Sequence, residues 1–321
     1  MFAALPGFWT PAAFGHELRS RPLQVTVAGE KLALFRDRAG VAHALLDRCP
    51  HRGVSLSLGE VTADGCLQCP FHGWRFAGDG ACTAVPMNPD AKRDLLAATA
   101  IPTREIGGLV WVFTDPDAAD PGEPNVPELL TAPGVVIRTS SDTWACHWTR
   151  AMENMLDVPH LPYVHRATIG RGFPSEVNLR LDDRPTGFHL DFGEGEAWLE
   201  WSRPNGMVLN IGGGGRRNRQ HVWCVPADEG RTRMMVVSAA EIPWALRWVN
   251  PLLGWFDRRI LGEDRAVVES SGGVEVPPAG DERSVETDRP TLRFRAWYRR
   301  TIADRSPALA AAATTNYAGR P

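Results

Sequence analysis

The chain has 321 residues and a mass of 35.2 kDa, enough for one large domain or two ordinary ones. Its 43% hydrophobic and 23% charged residues allow a buried core and exclude global disorder, and a net charge of −3 argues against a nucleic-acid or anionic-membrane binder. No apolar run reaches the roughly 18 residues of a membrane span, the first residues lack the basic start of a secretory leader, and six cysteines are too few for a disulfide scaffold, so a reducing cytoplasm is expected.

From 23 to 45, apolar and polar residues alternate and break at Gly29 and at Ala39-Gly40, which predicts a meander of short strands. Residues 65–69 and 73–86 continue the pattern. Residues 107–113 read as a buried strand that runs into a connector rich in Pro, Asp and Gly. That connector sets a domain boundary near 115–130, taken as domains 1–120 and 121–321. The segment 141–165 opens as strand, becomes helix around 149–160, and is interrupted at Pro159 and Pro162. Residues 175–242 alternate strand-like segments with turn residues, as in an antiparallel sheet. Gly212 to Gly215, followed by Arg216 and Arg217, reads as a hairpin or loop. Residues 245–273 have helical apolar spacing and end in Gly272-Gly273; 291–304 predicts a last helix, ahead of an Ala-rich tail after 307.

Two sets of residues carry chemistry. Cys49-Pro50-His51 is followed, after seventeen residues, by Cys69-Pro70-Phe71-His72. Each half offers one sulfur and one nitrogen from a loop between strands. A Cys2His2 zinc site is the competitor, but zinc sites usually space their first ligands wider and carry both histidines on one helix. Mixed Cys/His pairs suit a Rieske [2Fe–2S] centre, where two Cys hold one iron and two His the other. Cys66, Cys82, Cys146 and Cys224 read as buried thiols.

The second set is the D-x-x-H-x(4)-H run of Asp157, His160 and His165. Asp157 and His160, three apart, share a helix face. His160 and His165 would diverge by about 140° on an unbroken helix, and Pro162 between them lets the chain turn. Two His and one carboxylate form the facial triad of mononuclear Fe(II) oxygenases. Candidates for the carboxylate lie about 100 residues downstream in LGEDRAVVE: Asp264, with Glu263 and Glu269 as rivals.

CPHRGVSLSLGEV (49–61), CPFHGW (69–74) and the D-x-x-H-x(4)-H run, in this order, resemble the catalytic α subunit of Rieske non-haem iron oxygenases. In length and single-chain style the sequence is similar to the vanillate O-demethylase and dicamba monooxygenase branch. The resemblance implies an α+β fold: an N-terminal all-β Rieske domain and a C-terminal helix-grip catalytic domain of antiparallel sheet and helices. It implies a [2Fe–2S] cluster on Cys49, His51, Cys69 and His72, and Fe(II) on His160, His165 and Asp264. It also implies a homotrimer in which His72 of one subunit hydrogen-bonds Asp157 of the next, and Asp157 holds His160 and bridges the two centres. The expected activity is hydroxylation or oxidative demethylation of a small aromatic or alicyclic substrate with O2. An electron carrier on a ligand-binding fold is the alternative, and a helix-grip lipid-binding module with structural zinc a third reading.

No dinucleotide fingerprint is present, so electrons are expected from a separate NAD(P)H-dependent reductase, with or without a ferredoxin. Arg48, Arg52 and Arg75 flank the cluster loops and either receive an acidic partner or buttress the loops. Val54 and Phe71 stand where respiratory Rieske proteins carry an extra Cys pair, and Trp74 stands where a hydroxyl would bond a cluster sulfur. Fewer hydrogen bonds to sulfur predict a low potential, roughly −150 mV. Met207, Leu209 and Trp223 are expected to line the substrate pocket, with plain core as the alternative for each.

Overall fold

The computed structural model describes residues 1–174, 176–193, 196–211, 218–241, 250–272, 275–278 and 280–303. The four-glycine run with Arg216 and Arg217, residues 245–249 of the predicted helix, Gly273 and the tail lie outside them. The chain divides into two compact units, Met1–Pro127 and Glu128–Pro321. The division falls later than the 120/121 boundary read from the sequence, because the connector is tied back to the first unit. Trp9 Nε1 donates to the Pro121 carbonyl at 2.8 Å, and Arg104 pairs with Glu123.

The first unit is built from β1 (Trp9–Phe14), β2 (Leu23–Val27), β3 (Glu30–Arg36), β4 (Ala42–Leu46), β5 (Glu60–Val61), β6 (Leu67–Gln68), β7 (Arg75–Phe76), β8 (Cys82–Ala84), β9 (Ala100–Ile101), β10 (Thr103–Ile106) and β11 (Leu109–Phe113). They form three antiparallel sheets in the orders β1-β11-β10, β2-β3-β4-β9 and β5-β6-β7-β8. The expected break at Gly29 is the β2–β3 turn, where Gly29 has φ of 89°. Phe35, Leu45, Leu56, Leu67 and Phe76 form a core cluster that also takes in Cys49 and Cys69. The sulfur-bearing loops are therefore anchored in the best-buried part of this unit.

The second unit opens with β12 (Val136–Trp144), then α1 (Trp148–Leu156) and α2 (Leu161–Val164). It continues with β13 (Arg180–Arg184), β14 (Gly187–Asp191), β15 (Ala197–Ser202), β16 (Gly206–Ile211), β17 (Asn218–Asp228), β18 (Arg231–Ala240), α3 (Asn250–Ser270) and α4 (Arg289–Tyr298). The strands make one antiparallel sheet in the order β12-β18-β17-β16-β15-β14-β13. α3 packs on β12 and α1 on β17 and β18. Trp148, Ala151, Met152 and Met155 follow i, i+3, i+4, i+7 spacing and are buried, so α1 is held by one apolar face. Trp148 and Trp201 both meet Phe294 of α4 edge-on, at 5.8 and 5.6 Å between ring centroids, joining α1, β15 and α4 in one aromatic core.

Among the described residues no helix is long and apolar enough to cross a membrane.

Candidate metal centres

The two Cys/His loops are built alike. Cys49 N donates to Val54 O and Gly53 N to Cys49 O, both at 2.8 Å; Cys69 N donates to Trp74 O at 2.8 Å and Gly73 N to Cys69 O at 3.1 Å. Gly53 and Gly73 close these turns with φ of 73° and 70°, a left-handed conformation that a side chain strains. The two loops thus place Cys49 and Cys69 at equivalent points, with His51 third in one loop and His72 fourth in the other.

Both thiols are buried, and burial together with the adjacent Cys69 pushes the Cys49 thiol up to about 11. The His51 ring stacks on Trp74 at 4.5 Å and meets His72 at 4.7 Å, and its Nδ1 is buried without a hydrogen-bond partner. Burying thiols and a partnerless imidazole nitrogen costs free energy that ligation offsets, and a cation reverses the rise in thiol pKa. The donor set therefore fits a thiolate- and imidazole-ligated cluster. His72 is exposed, as is its neighbour Phe71 at 58%, so the second imidazole stands at the surface of its unit. Of the flanking arginines, Arg48 and Arg52 are exposed, while Arg75 is half-buried and bonded to Gln68.

In the second unit α1 ends sooner than the sequence pattern suggests. Its last residue is Leu156, and Asp157 has extended backbone (φ −88°, ψ 121°). Asp157 and His160 therefore do not share a helix face, correcting that expectation. The break precedes Pro159, which disfavours helical backbone at Val158. Pro162 does not break the chain; it sits in the first turn of α2, where its missing N–H is no loss. His160 and His165 bracket that single turn, and their rings come to 5.2 Å.

Asp264 arrives from α3. Its Oδ1 lies 3.0 Å from Nε2 of His165 and 3.5 Å from Nε2 of His160. Among the described residues, His160, His165 and Asp264 form the set of three potential ligands whose donor atoms all lie within 4.8 Å of one another. Cys49, His51, Cys69 and His72 make no such single-ion set, which suits donors divided between two irons better than one zinc. Asp264 Oδ1 is buried and, despite these distances, makes no well-directed hydrogen bond. Three potential donor atoms gathered this closely, with one orphaned oxygen, fit a ligated cation. Burial alone would raise the Asp264 carboxyl, but the close His160 and His165 rings outweigh it and hold the group at about 2. Burial opposes the charged form of His160, and Asp157 and Asp264 overcome that, holding it at about 9.

The rivals to Asp264 face elsewhere. Glu269 accepts from Ala145 N and Arg265. Glu263 Oε2 is 2.9 Å from Nδ1 of His165, the ring nitrogen turned away from Asp264. Asp157 Oδ2 lies 3.3 Å from Nδ1 of His160 and remains 31% exposed, against 5% for Asp264. Arg150 of α1 pairs with Glu153 and Glu282.

The three donors open on a cavity walled by Met155, Ile169, Leu199, Met207, Leu209, Val222, Val236 and Leu261. Trp223 does not line it, correcting the expectation. Val222 faces the cavity with its cross-strand partners Met207 and Val236, so the strand's two-residue period turns Trp223 to the other face with Met235. Sequence reading also missed the polar lining residues Asn154, Gln220 and Asp257. Asn154 Nδ2 is buried without a partner, whereas Asp257 is engaged by Ser238 and Arg138. The one local signal was the position of Asn154, three residues before Asp157.

Residues 8–100 match the family model described as Rieske [2Fe-2S] domain. The dicamba O-demethylase oxygenase component of Stenotrophomonas maltophilia is 38% identical over 162 residues, covering 50% of this chain and 47% of that protein. Methylxanthine N3-demethylase NdmB of Pseudomonas putida is 27% identical over 318 residues, covering 91% and 88%. The chain spans about half the length of several of the curated relatives it matches. Dicamba monooxygenase bound to 3,6-dichlorosalicylic acid superposes with a TM-score of 0.81 at 24% identity, over 97% of this chain and 99% of that one, a likeness of fold.

Proposed function

We propose that this chain is a Rieske-type oxygenase α subunit and that it uses O2 and externally supplied electrons to hydroxylate or oxidatively demethylate a small aromatic or alicyclic substrate. The observation that carries the reading is the convergence of His160, His165 and Asp264 on one point at the floor of an apolar cavity. Cys49, His51, Cys69 and His72 would hold a [2Fe–2S] cluster, which would supply electron relay, and His160, His165 and Asp264 would hold an Fe(II) ion, which would supply O2 activation.

The chain's own residues supply the rest. The apolar walls bind a substrate with little charge and exclude water from the reacting centre. Asn154, with its unpartnered amide, is placed to orient a polar group on that substrate. His72 is exposed on one unit and Asp157 half-exposed on the other. In a homotrimer His72 of one copy would donate to Asp157 of the next, and that carboxylate would also hold Nδ1 of His160, making assembly part of the mechanism. The exposed Tyr163, six residues beyond Asp157, and the exposed Phe71 give both surfaces apolar area to cover. Electrons would come from an NAD(P)H-dependent reductase, with or without a ferredoxin, docking near Arg48 and Arg52. Six unpaired thiols suit a reducing compartment such as the cytoplasm.

Asp264→Ala tests the reading. It should lower bound iron by about one equivalent per chain, keep the EPR signal of the reduced cluster, and abolish substrate-dependent O2 consumption with a surrogate reductase. Unchanged iron and turnover would refute the assigned triad.

A further inference from the structure

Glu263 follows Gly262 and precedes Asp264 on α3, yet its carboxylate turns away from the point where the triad converges. Three groups engage it. Oε2 lies 2.9 Å from Nδ1 of His165 and accepts from Thr168 Oγ1 at 2.7 Å, while Oε1 accepts from Arg259 Nε at 3.3 Å. The His165 side chain is 1% exposed, so no solvent competes for that nitrogen.

A neutral imidazole has one N–H and one lone pair. With Nε2 given to an ion held beside Asp264, the one N–H of the neutral ring falls on Nδ1, where Glu263 accepts it. We infer that Glu263 is a positioning residue, which fixes the tautomer and ring plane of His165 so that Nε2 is presented as a metal ligand. The inference rests on the reading of His160, His165 and Asp264 as a cation site.

The two imidazoles are held differently. His165 has an aligned bond to a carboxylate that is itself fixed by Thr168 and Arg259. His160 has Asp157 at 3.3 Å with no well-directed bond to its Nδ1. One ligand is locked from within the chain, and the other leaves its carboxylate free to take a further donor. Partners of this kind commonly set metal affinity by about 10–100-fold.

The test is Co(II) binding by calorimetry, on protein stripped of its mononuclear ion and still carrying its cluster. Glu263→Met keeps the volume and helix propensity but has no acceptor; Glu263→Gln keeps a carbonyl oxygen for the Nδ1–H. The Met variant should bind Co(II) about 10–100-fold more weakly, with the cluster EPR signal and circular dichroism unchanged, and the Gln variant should stay within about 3-fold of wild type. Thr168→Val, which removes one brace of the carboxylate, should fall between wild type and the Met variant. It also serves as the reading if the Met variant does not fold. Wild-type affinity in the Met variant, or equal losses in Met and Gln, would overturn the inference, as would wild-type affinity in Thr168→Val where the Met variant cannot be read. A wild-type protein that takes up no Co(II) would instead overturn the triad itself, and the inference with it.

Discussion

Oδ2 of Asp157 lies 3.3 Å from Nδ1 of His160, across the break that separates α1 from α2. The helix stops at Leu156, so Asp157 sits on extended chain, and its carboxylate reaches a ligand imidazole while staying 31% exposed. A carboxylate in that position can touch a ligand from one side and a second donor from the other.

Asp157→Asn should therefore leave both iron centres loaded and cut turnover by about 100-fold, since the amide keeps the shape but loses the charge. Iron analysis, cluster EPR and single-turnover product yield check this together. Turnover near wild type would refute the bridge.

Trp74 stacks on His51 at 4.5 Å and 4° and offers no hydroxyl to a cluster sulfur. The cluster should have a potential of roughly −150 mV, and Trp74→Tyr, if its phenol reaches a sulfur, should make it more positive. An EPR-monitored redox titration measures both, and a strongly positive wild-type potential would contradict the expectation.

Arg295 grips Glu153 of α1 with two bonds, Nε–Oε1 at 2.7 Å and Nη2–Oε2 at 2.8 Å, and also reaches Glu282. The Arg295 and Glu153 side chains are 10% and 9% exposed. Arg295→Ala should destabilise the protein by about 3 kcal/mol, because Glu153 would lose a buried partner. Pairing Arg295→Met with Glu153→Gln should recover part of the loss. Chemical-denaturation midpoints compare the three proteins.

His221 of β17 is fully buried, and neither ring nitrogen has a hydrogen-bond partner. Burial, then the nearby Arg219 charge, lowers it to about 4 from an ordinary 6.5. Protonation therefore favours the unfolded chain between those values. The stability from keeping this ring neutral is fully present above pH 6.5, declines below it, and is lost by about pH 4, on the order of 3 kcal/mol in all. His221→Leu should flatten the fall in melting temperature across that window relative to wild type, without loss at pH 8. Parallel slopes for the two proteins would contradict it.

Much of the site was legible from local chemistry. The Cys/His spacing marks two loops whose closing hydrogen bonds turn out alike, and Gly53 and Gly73 take the left-handed conformations those turns need. The alternation in 23–45 and 175–242 foretold antiparallel strands because a two-residue period is written into the chain itself. What it could not tell was which face of a strand is inside: Met207 and Leu209 line the cavity, and Trp223 turns away.

The sequence by itself determined the ligand types, their pairing within each loop, and the strand-rich halves, since these depend on residues a few positions apart. Which carboxylate of LGEDRAVVE meets the histidines was decided only when α3 packed into the second unit. Neighbours on a helix point about 100° apart, so adjacent acids serve different ends. Asp264 turns to the Nε2 atoms of His160 and His165, and Glu263 to Nδ1 of His165, across about 100 residues of intervening chain that no spacing rule spans.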